Sequence, residues 1–343
     1  MIENPILTRS LVPRDDEPVR LGLNENPYPL PEPTRGRILA ALDSINRYPL
    51  GGERRVLERA ARLFGTRSEM MVITRGIDEA LDRLVELHRA MRFVLFSPMF
   101  LACEARLRLM GANYTVFPLD ERFRIRERDW EQLTANDFII MDCPKNPTGS
   151  LLHDDDLERL SHVCGKLLVD EAYVEFSARQ SFAPRASERF FVFRSLSKAY
   201  GLAGQRLGFL VADEPTATAI TKRQWFCNID HLSLALLDVI LGEPFVAERT
   251  ACIVRDRELV TTELRALGFE VLPSQANFIL LRTPEASRLV AGLRDQGILV
   301  LDTGLFGYTG HIRISIGTPQ QNQELISALC KLRNMNDGGA NSV

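Results

Sequence analysis

Between residues 70 and 211 the chain carries seven short, almost wholly apolar runs separated by segments of helical spacing. They are Met70 to Ile73, Phe93 to Phe96, Tyr114 to Phe117, Phe138 to Met141, Leu167 to Val169, Phe190 to Phe193 and Gly208 to Val211. A strand with one wet face alternates apolar and polar residues. A run with no polar phase needs cover on both faces. Helix-spaced segments at Arg35 to Leu42, Glu53 to Leu63 and Asp78 to His88, and one opened by Pro98, offer that cover. The pattern predicts an α/β fold with a mostly parallel central sheet flanked by helices.

After about residue 245 the texture changes. A long charged helix is expected over Val246 to Leu267, with strands at Phe269 to Leu272, Asn277 to Leu281, Ile298 to Val300 and Ile312 to Ser315. Helices are expected at Glu285 to Gln296 and Pro319 to Arg333. The expected organisation is therefore an N-terminal arm over 1–33, a large domain over 34–244, a smaller α/β domain over 245–334 that the arm joins, and a frayed, disordered tail over 335–343. The arm is rich in proline and charge, with one apolar piece at Leu21-Gly22-Leu23.

A net charge of -3 leaves no electrostatic footprint for nucleic acid or anionic lipid. The cysteines are scattered without a Cys-x-x-Cys pair and the histidines lack ligand spacing, so neither a disulfide framework nor a metal site is expected. No stretch is apolar enough to span a bilayer, and Met1 to Pro5 does not open a signal peptide. The expected location is the cytoplasm.

Ligands of open α/β sheets sit beyond the carboxyl ends of strands, and the chain's distinctive residues gather at such ends. Lys198 closes Arg194-Ser195-Leu196-Ser197-Lys198, just past a run of phenylalanines, and precedes the apolar Gly201 to Gly204. A lysine in a serine-rich turn is usually solvated surface; one partly desolvated by such neighbours is an amine nucleophile. Asp170 ends Leu167-Leu168-Val169. It reads either as a strand-end N-cap or as a buried carboxylate in need of a partner. Arg206 follows in Gly204-Gln205-Arg206. A lysine amine, a carboxylate and a phosphate anchor on separate strand ends form the set that pyridoxal phosphate needs. They serve the Schiff base, the pyridine nitrogen and the phosphate respectively.

Other residues admit two readings each. Tyr173 and Asn146 either donate to the cofactor's ring oxygen or pack and turn the chain. Gly76, Ile77 and Asp78 either offer N–H groups to a phosphate at a helix N-terminus or cap the helix. Phe100 either stacks on the pyridine ring or belongs to the core. Arg313, between Ile312 and Ile314, either pairs with a carboxylate or binds an anionic substrate group.

With these motifs in order, the chain resembles the histidinol-phosphate aminotransferase family, pyridoxal-phosphate enzymes of fold type I. The resemblance covers about residues 20–333. It rests on Leu23 to Tyr28, Arg47-Tyr48-Pro49, Pro144 to Gly149, Val169 to Phe176, Ser195 to Gly208, Gln275 to Phe278 and Arg313 to Thr318. It implies that Lys198 is the Schiff-base lysine and that Asp170 pairs with the pyridine nitrogen. Asn146 and Tyr173 would hold the ring oxygen; Ser195, Ser197, Arg206 and the Gly76-Ile77-Asp78 turn would hold the phosphate. Tyr48 would reach the cofactor of a second subunit, making a homodimer. Arg313 would bind the substrate's anionic end, with Tyr28 and Asn26 nearby.

The chain departs from the family at Lys145, Phe100, Ile77, Gln205 and Leu301. The family usually has asparagine at Lys145, and at Leu301 an arginine that helps hold the phosphate of histidinol phosphate. Its loss removes charge-assisted bonds of about 1.5–3 kcal/mol each, unless Lys145 compensates. The expected activity is transamination between an amino acid or amino alcohol phosphate and a 2-oxo acid by a ping-pong mechanism. The alternatives are a paralogue acting on an unphosphorylated amino acid, a decarboxylase like those acting on threonine phosphate, and a silent binding protein.

Overall fold

The computed structural model describes residues 18–337. Most of the expected strands form. They are β1 (Val19–Arg20), β2 (Met71–Thr74), β3 (Arg92–Ser97), β4 (Tyr114–Pro118), β5 (Asp137–Asp142), β6 (Lys166–Asp170), β7 (Phe190–Ser195), β8 (Gly208–Val211), β9 (Glu270–Leu272), β10 (Phe278–Arg282), β11 (Ile298–Leu299), β12 (Leu301–Asp302) and β13 (His311–Ser315). The strand expected at Ile298 to Val300 forms as β11 and stops at Leu299, and β12 begins beyond Val300 in a different sheet. β1 was not anticipated; two residues show no periodicity. Residues 1–17 of the arm and 338–343 of the tail lie outside the described residues, and the last helix, Pro319–Asp337, continues past Asn334.

The central sheet has seven strands in the order β2-β8-β7-β6-β5-β3-β4. β8 runs antiparallel to both neighbours, and the other pairings are parallel. Every residue of β2, β5, β7 and β8 is buried. The side-chain period of two then sorts each apolar run between two cores. Phe138, Ile140, Leu168, Phe191 and Phe193 pack on one face with Leu84 and Leu107. Ile139, Met141, Leu167, Val169 and Val192 pack on the other with Leu237 and Leu264.

Helices cover both faces. Gly76–Leu87 begins directly after β2, and Leu101–Leu109 begins at Leu101 rather than at Pro98. Asp154–Val163, Glu214–Thr221 and His231–Ile240 also form. The last two are capped by Asp213 and Asp230, whose carboxylates accept the N–H groups of Thr216 and Ser233.

A second sheet, β12-β13-β10-β9, is antiparallel throughout. The arm reaches it. β1 pairs in parallel with β11, and Leu21 is sandwiched, its N–H donating to Leu299 O and its carbonyl accepting from Ser315 N–H.

Phe191 is fully buried and its ring lies 5.6 Å from that of Phe138. Phe191→Ala is expected to cost about 3–5 kcal/mol, read as a lower denaturation midpoint. Leu63→Ala, on an exposed helix face, is expected to stay within about 0.5 kcal/mol.

Candidate active site

A cavity of about 350 Å³ opens at the carboxyl ends of the central strands, against the second sheet. Asp142 and Asp170 come from the ends of β5 and β6, and Ser195 from the end of β7. Ser197, Lys198 and Arg206 come from the connection that returns the chain into β8. Ile77 and Asp78 enter from the first turn of the helix after β2, and Phe100 from the turn after β3. The second sheet supplies Leu301 and Arg313, and the arm supplies Leu23, Asn24 and Glu25. Asn146 and Tyr173 complete the wall.

Gly76 has φ +73°, and a Cβ there would sit 3.2 Å from Arg206 Nη2. The glycine thus lets the arginine lie against the helix start. Arg206 donates to the Asp78 carboxylate at 2.6 Å.

Asn26, Tyr28 and Tyr48 do not line the cavity. Asn26 donates to Ala199 O and accepts from Tyr28 N–H. The Tyr28 ring lies 5.9 Å from the Arg249 guanidinium, on the long helix Pro244–Ala266. Tyr48 is 73% exposed and stands beside Phe226 with ring centroids 5.7 Å apart.

The polar wall is a connected network. Asn24 is buried at φ +54°, a conformation asparagine tolerates. Its Nδ2 donates to the Tyr173 hydroxyl at 3.0 Å, and its N–H donates to Ser315 Oγ at 2.8 Å. Asn146 Nδ2 donates to the same hydroxyl at 3.4 Å. The Tyr173 oxygen therefore accepts twice and keeps its own proton to donate. Arg313 Nη1 donates to Asn146 Oδ1 at 2.5 Å and Nη2 to Gly22 O at 2.7 Å, while its Nε is buried without a partner. Lys198 Nζ donates to Leu23 O at 3.0 Å. In the sequence Asn24 stands out only as part of the Leu23 to Tyr28 motif, and Asp142 does not stand out. Its place directly after the apolar run Phe138 to Met141 is a signal shared with many strand-end aspartates, and its register with Asp170 appears only in the structure.

Two departures from the resembled family resolve in space. Leu301 sits opposite Arg313 in the β12–β13 pairing, is buried and lines the cavity. Lys145 cannot compensate. It is fully buried outside the cavity lining, with Nζ 3.1 Å from Asp142 Oδ1.

Burial, and next the Arg313 charge, lower the Lys198 amine to about 8. Burial, and next Asp142, raise Asp170 to about 8; it forms no ion pair among the described residues and accepts the Ala172 N–H at 3.0 Å. Burial raises the Tyr173 phenol to about 12, so it stays a donor. A carboxylate raised from 3.8 destabilises the fold increasingly as pH climbs from that value, and fully above about 8. Asp170→Asn removes the charge. In the cofactor-free protein the variant is expected to melt higher than the unaltered chain, by a margin growing from pH 4 to pH 8, while losing activity by orders of magnitude. A pH series of thermal melts checks the sign.

The class I and II aminotransferase family model matches residues 16–329. The histidinol-phosphate aminotransferase of Pyrococcus furiosus is 33% identical over 316 residues, covering 90% of this chain and 90% of its own. A crystal structure of a Burkholderia pseudomallei protein classed as an aminotransferase is 37% identical with a TM-score of 0.87, covering 93% of this chain and 99% of its own. The fold is shared at 22% identity and a TM-score of 0.82 with a histidinol-phosphate aminotransferase from Sinorhizobium meliloti in complex with pyridoxal-5'-phosphate, over 92% of this chain and 91% of that one. A match over nearly the whole chain, joined to a lysine and a carboxylate facing one cavity, means that the chain belongs to the class I and II aminotransferases.

Proposed function

We propose that this aminotransferase works with pyridoxal phosphate, taking an amino group from a donor held at Arg313 and passing it to a 2-oxo acid in two half-reactions. One observation carries the reading. A partly buried amine, Lys198, and a buried carboxylate that pairs with no cation among the described residues, Asp170, share one cavity.

The donor set suits the group. Asp170 is an acceptor matched to a pyridine N–H, Tyr173 has a spare proton, and Arg313 Nε has no partner. Asp170 would hold the ring-nitrogen proton, while Tyr173 and Asn146 would face the ring oxygen. Ser195, Ser197, Arg206 and the N–H groups of Ile77 and Asp78, at the start of a helix, would hold the phosphate. Phe100 would lie against the ring.

Bound there, pyridoxal phosphate supplies an aldehyde for amine exchange and a ring that draws electrons from the substrate's α-carbon. Lys198 supplies the tethering amine. Freed by the incoming donor, its Nζ would take the substrate's α-proton and return it two atoms along, at the carbon that had been the aldehyde, and a pKa near 8 keeps a useful neutral fraction at neutral pH. Arg313 fixes the Asn146 amide by holding its oxygen, which leaves Nδ2 for the wall.

Leu301 bears on the donor. The cations lining the cavity are Lys198, Arg206 and Arg313, and the first two are committed to the cofactor. A donor ending in a single carboxylate matches one arginine better than a phosphate dianion does. This favours an unphosphorylated amino acid over histidinol phosphate, the substrate that the relatives' names point to.

The chain would act as a homodimer in the cytoplasm. Leu39, Ile45, Tyr48, Leu50, Trp225 and Phe226 are exposed large apolar residues, and the Tyr48 and Phe226 rings stand 5.7 Å apart, which supports an interface at that place. Tyr48 would extend from it into the neighbouring site.

Titrating the protein and pyridoxal phosphate with candidate amines, followed by visible absorbance, tests the donor. Conversion is expected with an unphosphorylated amino acid and only weakly with histidinol phosphate. Leu301→Arg is expected to improve the latter about 10-fold or more. Carbon dioxide release from threonine phosphate would overturn amino transfer. In light scattering the protein is expected at twice its chain mass, and Trp225→Glu with Phe226→Glu is expected to halve that mass and lower activity.

A further inference from the structure

We propose that Lys145 is a positioning residue of the active site. Its buried ammonium pairs with Asp142 and offsets part of that charge, leaving Asp170 the carboxylate of the pair without a cation of its own. The inference rests on the reading of Asp170 as partner to the cofactor ring.

Asp142 and Asp170 are register partners on neighbouring parallel strands, so their side chains leave the sheet on the same face about 4.8 Å apart. Both are buried and both line the cavity. Two desolvated carboxylates at that spacing do not ionise together without a cation. Lys145 provides one. Its Nζ lies 3.1 Å from Asp142 Oδ1, and Asp142 Oδ2 accepts the Asn146 N–H at 2.7 Å. The aspartate is thereby pinned on both oxygens, and the lysine has no outlet to solvent.

The same rule holds around the whole of Asp170. The charged and titratable groups that face it are Asp142 from β5, Asp78 from the helix after β2, Glu171 and Tyr173 from its own strand end, Cys103 from the helix after β3, and Lys198. Each neighbouring carboxylate has its own cation. Asp78 pairs with Arg206 at 2.6 Å, Glu171 with Arg194 at 2.9 Å, and Asp142 with Lys145. Among the described residues Asp170 alone has none. Taking two charges out of water is costly, and a lysine and aspartate that only held a turn would be replaceable by uncharged hydrogen-bonding residues. Set beside Asp170, and as long as Asp142 carries its charge, the ammonium has a further task. It prevents a second negative charge from binding the proton that Asp170 must manage.

The test follows the infrared band of protonated carboxyl groups against pH in the full-length protein, without added cofactor, for the unaltered chain, Lys145→Met, Lys145→Arg and the double variant Asp142→Asn with Lys145→Met. Lys145→Met is expected to raise the midpoint by about one pH unit or more. Lys145→Arg is expected to keep the original midpoint, and the double variant to return to it or fall below. A Lys145→Met midpoint unchanged from the original, or a double variant that stays raised, overturns the proposal, as a purely structural pair predicts lost stability without a shifted titration. If Lys145→Met does not fold, the double variant decides. A folded protein with its midpoint at or below the original supports the proposal, and an unfolded one or a raised midpoint overturns it. Repeating the series with pyridoxal phosphate separates the two readings. No visible band in the unaltered chain defeats the cofactor reading, while the infrared midpoints still judge Lys145.

Discussion

The in-register parallel pairing of β5, β6 and β7 is the constraint on which the site depends. Asp142 faces Asp170, and Asp170 faces Phe193, across adjacent strands. A sheet covered by helices on both faces leaves only its carboxyl edge for chemistry. Any carboxylate at that edge is desolvated by the same cover that stabilises the strands. Asp170 is the result, a group whose charge the folded chain disfavours and for which a bound cationic ring would supply the missing partner. Function here is a local electrostatic deficit held in place by a large apolar core.

Around that deficit the remaining charges are contained. The Glu171–Arg194–Glu175 cluster illustrates how. Arg194 donates to both glutamates and lies over the Phe64 ring at 4.5 Å. It ties the strand end of β7 to the segment after Asp170 without opening toward the cavity. The arm closes the other side. Asn24 and Leu23 reach Tyr173 and Lys198 directly, so a segment that looks peripheral in sequence forms part of the cavity wall.

Much of this was legible in the sequence, for identifiable reasons. The runs from Phe93 to Val211 announced the sheet because burial on both faces leaves a clear apolar signature. Lys198, Asp170 and Arg206 stood out because a charged residue after such a run has few uses. The antiparallel turn of β8 was not legible, since an apolar strand reads the same in either direction. Nor was Asp142, which sits at a strand end like many aspartates and acquires meaning only beside Asp170. The destination of Lys145 depended on a side-chain direction that no spacing encodes. Asn26 and Tyr28 belong to a motif, yet neighbouring Leu23, Asn24 and Glu25 are the residues that face the cavity.

The arm has one more consequence. Asn24 bonds Ser315, 291 residues away in the chain, and Val19 pairs with Ile298. A chain emerging from the ribosome can assemble its central sheet early, but the wall that faces Lys198 waits for the last strand. Contacts of such separation form late because the intervening loop must first close. Until those contacts form, the wall that the arm lends to Lys198 and Tyr173 is missing, so the completeness of the cavity depends on pairings between distant parts of the chain.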